Sequence, residues 1–154
     1  WVQASSADGF DMWYGSRLAW DAGNGEMLHA IHHATSKDGE SWIKNGLAVP
    51  YEIGRAQAFS RPTVLHGERN EYEMWFSYRC GSGKKYRIGY ARSVDGLQWI
   101  LDLLSSGIDV SPSGWDSEMI EYPYVFRHRD QVYMLYNGNG YGLTGFGLAL
   151  LERE

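Results

Sequence analysis

Apolar and aromatic residues recur along the chain in short runs, each closed by glycine or by polar residues. Tyr72 to Arg79 is the clearest, with the aromatic character of a buried strand. Pro62 to His66 precedes it across a polar turn at Gly67 to Asn70, and Tyr86 to Ser93 follows. Asp95-Gly96 then predicts a tight hairpin turn, with glycine supplying a positive φ. A last strand is expected from about Gln98 to Leu103. No stretch sustains a helical period. The pattern predicts four antiparallel strands in succession.

That unit repeats. Met12-Trp13-Tyr14-Gly15-Ser16-Arg17 matches Met74-Trp75-Phe76-Ser77-Tyr78-Arg79 and Met134-Leu135-Tyr136-Asn137-Gly138-Asn139, at spacings of 62 and 60 residues. Ala34-Thr35-Ser36-Lys37-Asp38-Gly39-Glu40-Ser41-Trp42 matches Ala91-Arg92-Ser93-Val94-Asp95-Gly96-Leu97-Gln98-Trp99. Arg61-Pro62-Thr63-Val64-Leu65 and Tyr122-Pro123-Tyr124-Val125-Phe126 precede the second and third aromatic segments. Independent motifs in one order at one spacing mark a true repeat, and four-stranded units of this length stack as the blades of a β-propeller. The expected fold is all-β, with blade one over about 1–50, blade two over about 60–104, and blade three over about 121–154 without its last strand. About two and a half blades leave two open sheet edges, which natural proteins rarely expose unpaired.

Composition narrows the function. Of the 154 residues, 44% are hydrophobic and 15% aromatic, and 19 glycines stand beside only 4 prolines, as many hairpins require. The net charge of −5, with no basic run, argues against nucleic acid as the main partner. The single cysteine, Cys80, excludes an intrachain disulfide and a cysteine-rich zinc site. No apolar run approaches the roughly 18 residues of a membrane span, so no membrane partner is expected. No signal peptide is visible, which slightly favours the cytoplasm without assigning a compartment. No cofactor is expected.

Arg61-Pro62, Met74 to Arg79 and Tyr86-Arg87-Ile88-Gly89-Tyr90-Ala91 together resemble the five-bladed propellers of arabinanase and invertase type, glycoside hydrolase families 43 and 32. Trp115-Asp116-Ser117-Glu118-Met119-Ile120-Glu121-Tyr122-Pro123 and Tyr136-Asn137-Gly138-Asn139-Gly140-Tyr141-Gly142 resemble a subgroup of bacterial glycosidase-like propellers, about twice this length and of poorly defined activity. The resemblance covers essentially the whole chain and about the C-terminal half of the family's ring. It implies a reaction centre at the channel mouth with three carboxylates: a base or nucleophile on the first blade, a stabilising Asp, and an acid Glu in a Glu-x-Pro pattern. Glu121-Tyr122-Pro123 matches that pattern, which makes Glu121 the candidate general acid. Where the resemblance places the stabilising Asp, this sequence has Ser60-Arg61-Pro62. The first-blade carboxylate would precede Trp1. Glycoside hydrolysis conventionally needs two carboxyl groups about 5–5.5 Å or about 6.5–9.5 Å apart, and the nearby Asp116 and Glu118 are the acids within reach in sequence.

By repeat, Arg17, Arg79 and Asn139 are equivalent and are expected around one rim, with Arg61 beside Glu121. One reading is a polar, partly cationic cup for a sugar, a sugar acid or a phosphorylated glycan. The other pairs Arg61 and Arg79 with Glu121 to hold blades together. Trp115, Tyr122, Tyr78 and Tyr141 offer faces for a pyranose ring or for the core. The Ser-x-Asp-Gly-x-x-Trp segments are read as structural, Asp38 and Asp95 capping turns while Trp42 and Trp99 pack between blades. Gly140-Tyr141-Gly142-Leu143-Thr144-Gly145 fits a dinucleotide fingerprint by letter only, since too few residues follow for its helix and strand. His29, His32 and His33 have no supporting carboxylate at a telling spacing in the sequence, so no metal is expected.

The leading expectation is a glycosidase-like propeller that binds or hydrolyses a glycan at Glu121. The alternative is a non-catalytic half-propeller serving as a sugar-binding or interaction module. Two copies of two and a half blades make five, so a homodimer, or another assembly covering the open edges, is expected.

Overall fold

The computed structural model describes residues 1–5, 8–67 and 71–152. Most of the turn expected at 67–70 lies outside the described residues. The chain is almost wholly β, in three antiparallel sheets. The first holds β1 (Val2–Ala4), β2 (Phe10–Ala19), β3 (Leu28–Ser36) and β4 (Ile43–Leu47) in sequence order. The second holds β5 (Gln57–His66), β6 (Tyr72–Arg79), β7 (Arg87–Ser93) and β8 (Ile100–Leu101). The third holds β9 (Glu121–His128), β10 (Gln131–Asn137) and β11 (Phe146–Leu150), with β10 central. Among the described residues no helix is long and apolar enough to cross a membrane.

The repeat is reproduced in register. Val2 pairs with Met12, Val64 with Met74 and Val125 with Met134. One strand later, Trp13 pairs with His33, Trp75 with Tyr90 and Leu135 with Leu148. These positions build two cores. Trp13 and Ile31 pack against Phe59, Val64, Met74 and Trp99 between the first and second sheets. Trp75, Ile88 and Tyr90 pack against Ile120, Val125 and Met134 between the second and third.

The Ser-x-Asp-Gly-x-x-Trp turns are side-chain-capped hairpins. Asp95 Oδ1 accepts from the Leu97 and Gln98 amides, and Ser93 Oγ accepts from the Gly96 amide. Asp38 and Ser36 repeat the arrangement, and Asp38 is held near pKa 2 by the Ser41 and Glu40 amides that its carboxylate accepts. Gly96, at φ +73°, also lies against the Trp13 ring, so a side chain there would be strained and crowded. Its carbonyl accepts both the Trp99 and Trp13 indole N–H groups. Trp99 therefore packs between sheets, at a T-shaped 5.9 Å from Trp13. Trp42 does not: it is only half-buried and belongs to neither core. The outer strand expected from Gln98 to Leu103 is also shorter, since the chain turns into a 3₁₀ segment at Leu103–Ser106.

Candidate functional site

Glu121 opens β9 and is completely buried. Neither carboxyl oxygen has a hydrogen-bond partner among the described residues. Burial pushes its pKa up to about 7, against the opposing pull of Arg61 and Arg79. A carboxyl that holds its proton at neutral pH suits a general acid, and perturbed groups of this kind mark functional sites.

The backbone around it is strained in a repeated way. Arg61 (φ 49°) and Tyr122 (φ 55°) each precede a proline, a place where β-region backbone is favoured and positive φ is costly. The Tyr122 amide donates to Ser77 Oγ at 2.7 Å, and Thr63 Oγ1 donates to the Pro123 carbonyl at 2.7 Å. These bonds tie the start of β9 to the second sheet. The kink sets the Arg61 guanidinium 4.0 Å from the centre of the Tyr122 ring. In register, Glu121 pairs with Asn137 as Ser60 pairs with Ser77, so the second-sheet counterpart of Glu121 is Ser60. Ser60 Oγ is itself buried and unpartnered.

Arg79 ends β6 and does not pair with Glu121. Its Nη2 donates to Glu26 Oε1 at 2.8 Å, its Nε is buried without a partner, and its guanidinium lies 4.7 Å from the Tyr86 ring centre. Glu26, 5% exposed, comes from the loop between β2 and β3. Asn24 and Gln57 fasten that loop: Asn24 Nδ2 donates to Gln57 Oε1 at 2.8 Å. Tyr86, Tyr122 and Tyr141 form an aromatic group with ring centres 6.2 to 6.4 Å apart.

The other expected site residues are placed differently. Arg17 is exposed and stacks on the outlying Trp20 at 3.5 Å. Asn139 accepts from the Glu118 and Met119 amides and donates to the Gly114 carbonyl, bracing the connection before β9. Trp115 stacks on Tyr136 at 5.6 Å and covers Gly138 and Gly147 so closely that neither could carry a Cβ. Asp116 is buried and accepts from the Tyr136 hydroxyl at 3.1 Å, while Glu118 is exposed beside Lys85. Tyr78 is half-buried against the first core. His29 is bonded to the Phe59 carbonyl, and His33 to Asp11 and Asn45. The Gly140 to Gly145 segment runs through a short helical turn straight into β11.

Glu26, Tyr86 and Gln57 were not singled out in the sequence. Glu26 sits in no motif, and only the third dimension brings it to Arg79.

No family model matches the chain. An uncharacterized protein of Mycobacterium tuberculosis is 49% identical over 144 residues, which are 93% of this chain and 47% of that protein. The chain thus spans about half the length of the curated relatives it matches. Among solved structures, a family 117 glycoside hydrolase of Zobellia galactanivorans superposes with a TM-score of 0.81 at 17% identity, over 99% of this chain and 51% of that one. A thermostable family-43 glycoside hydrolase gives 0.69 at 15%, over 98% and 46%. A GH32 β-fructofuranosidase of Bombyx mori gives 0.71 at 20%, over 98% and 33%. At these identities the likeness is one of fold: the three sheets have the arrangement found in glycoside hydrolases of propeller type.

Proposed function

We propose that the chain carries a glycosidase-like carbohydrate site in which Glu121 is the general acid. One observation carries the reading: a wholly buried carboxyl without a hydrogen-bond partner among the described residues, raised to a pKa of about 7, opens a strand beside Arg61 and Arg79. In the proposed reaction Glu121 gives its proton to the glycosidic oxygen as the bond to the leaving group breaks. Arg61 and Arg79 stabilise the resulting carboxylate, which keeps the acid from holding its proton too tightly to donate it near neutral pH. A second carboxylate must activate water or attack the sugar. Glu26 is held by Arg79 and is read as that arginine's anchor. Hydrolysis of a panel of glycosides by the native chain and by Glu121→Gln tests the reading. A loss of about 10²–10⁴-fold is expected, and equal rates for the two proteins contradict it.

The second reading, a sugar-binding module without catalysis, is favoured by Ser60 standing at the second-sheet position equivalent to Glu121. It predicts glycan affinity that depends on Glu121 with no turnover.

We also propose that a second copy of the chain covers the open faces. Ile31 in the first sheet, and Ile88 and Tyr90 in the second, pack against the next sheet, and His33 is buried beside Trp13. Their third-sheet equivalents, Phe146 and Leu148, are 74% and 61% exposed. At the other end Val64 and Val125 are 1% exposed while their equivalent Val2 is 50% exposed. Head-to-tail pairing of two copies would cover both exposed faces.

A further inference from the structure

A cleft of about 230 Å³ opens between the loop joining β6 to β7 and the loop joining β10 to β11. Arg79, Lys84, Lys85, Tyr86, Met119 and Tyr141 line it. Arg79 and Tyr86 are also near enough to Glu121 to interact with its charge, and Met119 stands two residues before it. The cleft therefore neighbours the candidate reaction centre, with Glu121 itself buried behind its wall.

Its chemistry is one-sided. Tyr86 and Tyr141, edge to face at 6.2 Å, supply aromatic walls on which the apolar face of a sugar ring can lie. The charged groups on the wall are all cations. Arg79 is compensated by Glu26 through its Nη2, and its Nε is buried without a partner among the described residues. Lys85 is 3.8 Å from Glu118, with both side chains more than half exposed, so that pair is weak. Lys84 is exposed and makes no salt bridge among the described residues. Three cations against two carboxylates leave a local positive excess in a chain of net charge −5. Ammonium and guanidinium groups only donate hydrogen bonds, so a matching ligand presents acceptors and negative charge.

We propose that this cleft binds an acidic sugar residue, one carrying a carboxylate or a phosphate ester, next to the bond presented to Glu121. The proposal rests on the carbohydrate reading of the Glu121 site and specifies its substrate class. Binding of an anion by Arg79, Lys84 and Lys85 is charge-assisted and screened by salt.

The test is calorimetric titration of the native chain and of a Lys84→Gln/Lys85→Gln double variant with methyl glucoside, methyl glucuronide and the phosphate ester of methyl glucoside. At low salt at least one acidic ligand should bind about tenfold or more tightly than the neutral one. That preference should collapse toward unity in the double variant and shrink as salt is raised. The tighter acidic arm identifies carboxylate or phosphate as the group recognised. Equal affinity for neutral and acidic ligands, no binding of any of the three, or a preference that survives the double substitution overturns the proposal. Glu121-dependent cleavage of neutral glycosides without acid preference would remove this inference and leave the reading of Glu121 standing. Acid preference beside cleavage that ignores Glu121→Gln would do the reverse.

Discussion

Arg79 Nη2 lies 2.8 Å from Glu26 Oε1, so a loop of the first sheet holds the arginine that faces the carboxyl opening the third. The pair is mostly buried, with side chains 20% and 7% exposed. Removing one partner leaves an uncompensated charge in poor solvent. Glu26→Gln should cost about 3 kcal/mol in urea unfolding. It should also lower the pKa of Glu121, because the unneutralised guanidinium favours the nearby carboxylate. NMR titration of the Glu121 carboxyl carbon reads the second effect directly.

Glu121 predicts an unusual pH dependence of stability. Its folded pKa of about 7 lies above the ordinary 4.5, so between those values the folded state binds more protons than the unfolded state. Stability should therefore be greatest, as far as this group is concerned, below about pH 4.5 and be lost as pH rises through about 7. Glu121→Gln should flatten that dependence and exceed the native chain in stability at pH 8, as measured by thermal unfolding across pH. Arg61→Gln should move the midpoint upward, since it removes a cation that opposes the shift.

Trp13 joins the first sheet to the second through a buried indole and a 3.0 Å bond to the Gly96 carbonyl. Trp13→Ala should cost about 3–5 kcal/mol by opening a cavity between sheets. Trp13→Phe keeps most of the volume and loses the bond, so about 1–3 kcal/mol is expected. Denaturant midpoints for the two variants separate packing from hydrogen bonding.

Phe146 and Leu148 are surface residues in a single copy, and replacing them should barely alter its stability. Leu148→Asp should nevertheless shift sedimentation from a dimer toward the 17.5 kDa monomer if a second copy covers that face. A native chain that sediments as a folded monomer contradicts the proposed pairing.

The strands and their repeat were legible because each is a local pattern. Tyr72 to Arg79 reads as a strand from its own residues, and the equivalence of Met12, Met74 and Met134 follows from the repeat spacing. The end of the second sheet was less legible, since Leu103 to Ser106 carries apolar residues that suit a strand or a helical turn equally. Trp42 and Trp99 share one motif, yet only Trp99 meets Trp13, because burial depends on a neighbouring sheet rather than on the motif. Glu121 was visible as a carboxyl before Tyr-Pro. Its missing hydrogen bonds, the positive φ of Arg61 and the tie between Arg79 and Glu26 depend on three sheets meeting, and no sequence window contains them.

If Glu121 protonates a leaving group, the rate must depend on how much protonation that group needs. Rates should be compared for native chain and Glu121→Gln on an alkyl glycoside, which needs protonation, and on a dinitrophenyl glycoside, which departs without it. A general acid at Glu121 gives a large loss on the alkyl substrate and near-native cleavage of the dinitrophenyl one. An equal loss on both substrates, or no loss on either, would contradict it.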